Sequence, residues 1–168
     1  MPRYASVRDR CLVALRNKLL EINQENGYST NIKNVILSRK IPDKPPSTDT
    51  VQIIPLESTE DVWCSGHTYE NLNIELWFYK QRLQNQDQEF NTFLADLRNC
   101  LKFPFCDPTH PNPAATGIYM EKISTVPLYN TPADDTVVGI IRYRMQFHYD
   151  FNNENRWDET DVPLEIDE

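Results

Sequence analysis

The chain has 168 residues and a net charge of −8, with 39% apolar and 11% aromatic residues. That composition suits one domain with a core rather than a disordered chain. It offers no apolar run near the ~18 residues of a membrane span, and its acidity argues against a nucleic-acid reader, which needs a basic stripe.

The opening "MPRYASVRDR" lacks the apolar stretch of a secretory signal. Cys11, Cys64, Cys100 and Cys106 form no paired framework, so free thiols made in a reducing cytosol are expected. Ser6 is a good helix N-cap, with Asp9 three residues on as its capping-box partner. Val7, Cys11, Leu15, Leu19 and Ile22 recur at helical spacing, with Leu12 at the edge, and Gly27 is a suitable stop. Val13 and Leu20 lie on another side of this helix, as a minor core contact or a contact made outside the subunit.

"NVILSR", Asn34 to Arg39, reads as a short strand, and "IPDKPPSTD" as a stiff loop before a strand at Thr50–Ile54. "PLESTEDVWCSGHT" reads as an irregular loop. Tyr69 to Lys80 alternates, with Leu72, Ile74, Leu76 and Phe78 toward the core and Asn71, Asn73, Glu75 and Trp77 away from it. Asp87 caps a second helix whose stripe is Phe90, Phe93, Leu94, Leu97 and Leu101, and Pro104 ends it. "FPFCDPTHPNPAAT" is a proline-rich loop. Gly117 to Leu128 is a strand broken by Pro127, and "YNTPADD" turns into the last strand, Thr136 to Phe151.

That last strand, "TVVGIIRYRMQFHYDF", is far longer than the usual ~5–6 residues. Extended, it would span roughly 50 Å, against a radius of gyration of about 15 Å for a compact chain of this size. Val137, Gly139, Ile141, Tyr143, Met145, Phe147 and Tyr149 point one way, and Val138, Ile140, Arg142, Arg144, Gln146 and His148 the other. The predicted fold is α+β: a mixed, mostly antiparallel sheet with two helices packed on one face and a long extended hairpin. Residues 1–151 form the single domain. Residues 152–168 form an acidic tail, read as a solvated end or as a segment that docks on a basic partner surface. Residues 1–40 carry an excess of five positive charges, which leaves −13 on the rest.

Little chemistry is offered. The four glycines are too scattered for a phosphate-binding loop. His67, His110 and His148 have no nucleophile motif beside them. Cys64 with His67, and Cys106 with His110, are two soft pairs that would in principle close a zinc tetrahedron, but they are not two CxxC knuckles. Pro42-Asp43 with Glu121 and Lys122 loosely mimics a metal-dependent nuclease, the best enzyme alternative, although an acidic chain holds DNA poorly. No catalytic, cofactor or metal residues are assigned, and the chain is read as a non-enzyme.

The extended strands are then the informative feature, because exposed edges and faces invite pairing. Arg142, Arg144, Trp77, Tyr79, Phe147 and Tyr149 are the candidate interface residues, aromatic and arginine side chains being enriched at protein contacts. Unequal charge at the two ends of the chain suits a head-to-tail contact, which closes into a ring when the rotation permits.

The layout resembles the tail terminator (tail completion) proteins of long-tailed bacteriophages. The likeness rests on the opening helix "SVRDRCLVALRNKLLEI" with Gly27-Tyr28, the strand "TVQIIP" and the long strand "NLNIELWFY". It continues through the helix "EFNTFLADLRNCL" to the hairpin "IYMEKISTVPLY … VVGIIRYRMQFHYDF", and covers about residues 4–151. It implies a virion protein assembled in the host cytoplasm and placed at the tail–neck junction. Its partners would be copies of itself in a ring, expected to be a hexamer, the tail tube protein and neck or connector proteins. Such a ring stops tube growth, offers the neck a docking surface and lets genomic DNA pass without reading its sequence. The resemblance implies no cofactor, and a head-completion or connector protein is the runner-up within the same class.

Overall fold

The computed structural model describes residues 3–40, 42, 46, 48–62, 66–80, 86–127 and 137–166, without the side chains of Arg3, Gln86, Val137 and Val138. Its core is a five-stranded mixed sheet in the order β2-β3-β4-β6-β5: β2 is Asn34–Leu37, β3 Thr50–Val62, β4 His67–Tyr79, β5 Tyr119–Pro127 and β6 Val137–Asp150. β2 runs parallel to β3 and the other pairs are antiparallel. The helices α1 (Val7–Leu20) and α2 (Gln86–Cys100) both pack on one face, as expected for the α+β class.

Local chemistry explains the first helix. The Ser6 hydroxyl accepts from the Asp9 amide at 3.1 Å and donates to the Asp9 carboxylate at 2.8 Å, which satisfies an orphan N–H of the first turn. Val7, Cys11, Leu15 and Leu19 are buried against the sheet. The helix ends at Leu20, earlier than the glycine suggested. Gly27, at φ 84°, instead closes a short 3-10 turn at Gln24–Asn26.

In α2 the stripe of Phe90, Phe93, Leu97 and Leu101 is buried, and Phe93 stacks on Phe78 of β4 with centroids 4.0 Å apart. Asp87 lies within the first turn rather than before it. On β6, Gly139 faces this helix. A Cβ built there would come within 2.2 Å of the Phe90 ring, so only glycine allows the approach.

Two readings of the chain are corrected. The segment read as an irregular loop after Ile54 continues β3 to Val62 and pairs with β4, with a register shift between Pro55 and Ser58. Its polar residues hid the strand, but β4 supplies the backbone partners, and an antiparallel sheet tolerates a solvated half.

The acidic C-terminal segment is the second correction, because its described part is packed structure. Trp157 is 0% exposed, and β7 (Glu165–Ile166) pairs antiparallel with β1 (Arg3–Tyr4). The amides of Val7 and Ala5 donate to the carbonyls of Glu154 and Leu164 at 2.9 and 2.8 Å.

That segment is held by a buried ionic node. The Arg10 guanidinium donates to Asp107 at 2.7 Å and to Asp161 at 2.6 and 3.1 Å. The Trp157 indole N–H donates to Asp107 at 2.8 Å. A single arginine on α1 thereby joins the proline-rich loop to the C-terminal segment. The loop itself is ordered by the Phe105–Ile118 bridge and a 3-10 turn at Pro113–Ala115.

Candidate interaction surface

Alternation along β6 divides its side chains as the sequence suggests. Gly139, Ile141, Tyr143, Met145 and Phe147 are buried beneath the helices. Among the described residues no α-helix lies on the other face, and register sets out its rows. Trp77, Ile140 and Val126 make one row across β4, β6 and β5. Glu75 and Arg142 follow, then Asn73, Arg144 and Glu121, then Asn71, Gln146 and Tyr119, and last Asp61, Tyr69 and His148.

The polar groups of this face satisfy one another. The Arg142 guanidinium donates to Glu75 at 2.9 Å, and the Trp77 indole N–H donates to the other Glu75 oxygen at 3.0 Å. Burial pushes the Glu75 carboxyl up, but the Trp77 and Arg142 bonds outweigh it and hold it below its ordinary value. Arg144 donates to Glu121 at 3.2 Å, and Gln146 to Asn71 at 2.8 Å. Two arginines and two glutamates thus cancel in charge on a chain that is strongly acidic overall.

The six residues singled out from the sequence do not form one surface. Arg142, Arg144 and Trp77 share the uncovered face, with the arginine side chains 52% and 43% exposed. Their carboxylate partners come from the same chain, so no partner is needed to neutralise them. Tyr79 is buried: the chain leaving β2 folds over that corner, where the Tyr79 hydroxyl donates to Gln52 at 2.8 Å and Gln52 donates to the carbonyls of Ser38 and Lys40. Phe147 is 1% exposed on the helix side, edge-on to Trp157, and belongs to the core. Tyr149 is half-buried, with burial first and Glu60 next pushing its hydroxyl up to about 12.

Tyr119, Ile123 and Val126, all exposed on edge strand β5, were missed in the sequence. The signal was the pairing register with β6, which places Tyr119 and Val126 on the uncovered face and Ile123 at a bulge between Lys122 and Ser124. Alternation within β5 alone does not reveal it.

Beside the far rows lies a cleft of about 600 Å³, lined in part by Asp61, Tyr69, Tyr119, Gln146 and His148. The His148 ring lies edge-on to His67 at 5.3 Å and to Trp157 at 5.5 Å, and burial first, then His67, lowers its pKa.

The residues of the two enzyme-like readings are placed as follows. Glu121 is bound to Arg144, and Asp43 lies outside the described residues. His110 is buried with its Nδ1 against the Asn112 carbonyl and amide, Cys106 is exposed, and Cys64 lies outside the described residues. Among the described residues no group of three or more His, Cys, Asp or Glu side chains is arranged to hold a metal. Cys11, Cys100 and Cys106 are free thiols. A comparison with protein-family models finds none that matches the chain, and a comparison with curated proteins finds no match either.

Proposed function

We propose that this protein is a structural subunit of a long-tailed phage particle, forming a ring that caps the tail tube, ends its growth and receives the neck. The observation that carries the reading is the uncovered face of the long sheet. β4 and β6 pair over their whole length, about 40 Å, and the described helices α1 and α2 cover one side. A face of such size, charge-neutral over its middle rows, is suited to burial against protein. The layout of the elements supports the tail-terminator form of this idea over other assemblies.

The experiment is tube capping. Purified chain is added to polymerising tail-tube subunits, and the tubes are imaged by electron microscopy. Rings at tube ends with arrested growth are expected. Tubes that lengthen unchanged, with bare ends, would refute the reading, and density at the portal side of the neck instead would favour a connector.

A further inference from the structure

We infer that the contact between neighbouring copies is heterologous: the uncovered sheet face of one copy lies on the helix layer of the next, against the outward side of α1. This rests on the ring reading above and names the surfaces that would build it.

The two-layer build places these surfaces on opposite sides of the molecule, one outside the sheet and one outside the helices. Contacts between non-identical faces propagate in one direction and close into a ring when the rotation between copies permits, which the ring reading requires. The sheet side presents an apolar row at one end, Trp77, Ile140 and Val126, and Tyr119 further along β5, 54% exposed. The helix side holds a small hollow of about 120 Å³ on the outer face of α1, lined by Ala5, Val13, Ala14, Pro108 and Leu164 together with polar groups that include the exposed Asp9. Val13 and Leu164 are each 43% exposed there, apolar groups that no described element covers fully.

Size agrees with this pairing. β4 and β6 at roughly 40 Å, the shorter β5 and the outer half of β3, at about 4.8 Å spacing, offer an area on the order of 600 Å². A standard interface takes about 800 Å² from each partner. The middle of the sheet face is neutral, so its burial leaves no unpaired charge. Its β3 margin is acidic, with Glu57 and Asp61 exposed, and on the outward side of α1 the exposed Arg16 stands one turn on from Val13, with the exposed Asp9 one turn before it. Arg16 is the group there that can meet the acidic margin of a second copy.

The test uses two surface variants of the full chain, Tyr119→Glu with Val126→Glu on the sheet side, and Val13→Glu on the helix side. Circular dichroism first shows that both remain folded. In sedimentation at high protein concentration, wild type should give a ring, and each variant alone a monomer. An equal mixture should give a two-subunit species, because one intact face of each kind remains. A helix-side variant that still self-associates, with no mixed dimer, would instead show a sheet-to-sheet contact and overturn the inference. Rings unaffected by either variant would overturn it while leaving the ring reading intact, and a wild type that stays monomeric, alone and with tubes, would overturn both.

Discussion

Arg10 ties together parts of the fold that lie far apart in sequence. Its side chain is 2% exposed and bridges two aspartates from distant parts of the chain. Such a pair contributes little over a well-packed apolar substitute, but removing one partner strands the others in a low dielectric. Arg10→Ala should therefore destabilise the protein by about 3–5 kcal/mol, read as a lower midpoint in urea. Asp107 reports the same node. Burial raises its pKa, but the Thr109, Trp157 and Arg10 bonds prevail and hold it below 3.8.

His148 acts in a different pH window. Its folded pKa is lowered from 6.5, by burial first and then by His67, with His110 also opposing its charge and Asp158 favouring it. The unfolded chain thus takes up its proton at higher pH than the folded one. The stability it contributes is complete above pH 6.5 and is lost as the pH falls from there toward the folded value. Thermal melts of His148→Gln should show a shallower decline with acidification than wild type. Parallel curves would mean that other groups govern this window.

Among the elements, the C-terminal segment departs most from its appearance. It carries acids at almost every second position, yet it ends in a strand paired with β1 and seats Trp157 in the core. Truncation after Phe151 would remove that indole, the Asp161 partner of Arg10 and the backbone acceptors of Val7 and Ala5. Deleting a buried large aromatic alone costs about 3–5 kcal/mol. A large loss of melting temperature, or failure to accumulate folded protein, is expected. A truncated chain that melts like wild type would place the segment outside the cooperative unit. The helix α2 and strand β6 show the opposite case, where a residue without a side chain is informative, because Gly139 lets Phe90 reach the sheet.

On the scale of the whole molecule, helices fill one side of the sheet, while the described chain covers the other only at its Tyr79 corner. The arginines of that other side matter through balance rather than through waiting for a partner. Arg142→Glu with Arg144→Glu would place two new acids beside Glu75 and Glu121, gathering four carboxylates in the middle of the face. In the isolated subunit these groups are part-exposed and the fold should survive, since exposed pairs are typically worth ~0–1 kcal/mol. Burial against a neighbour would then desolvate like charges together, and assembly should be lost. Unchanged sedimentation of the double variant would show that this face remains solvated.

Periodicity and punctuation were enough to read both helices, the core faces of β4 and β6, the Ser6 cap and the mixed sheet with its helices on one side, because those features are local and repeat every 2 or 3.6 residues. The uncovered face was legible in part, through Trp77, Arg142 and Arg144. What tertiary structure alone decided depends on groups far apart in sequence. β3 continues because β4 offers hydrogen bonds, Tyr79 is buried because the chain after β2 crosses it, and Phe147 belongs to the core because Trp157 closes over its end of the sheet. The acidic segment folds because Arg10, some 150 residues away, provides the opposite charge at its anchor. Composition sets how much charge a segment carries, but only the fold decides whether that charge meets water or a partner.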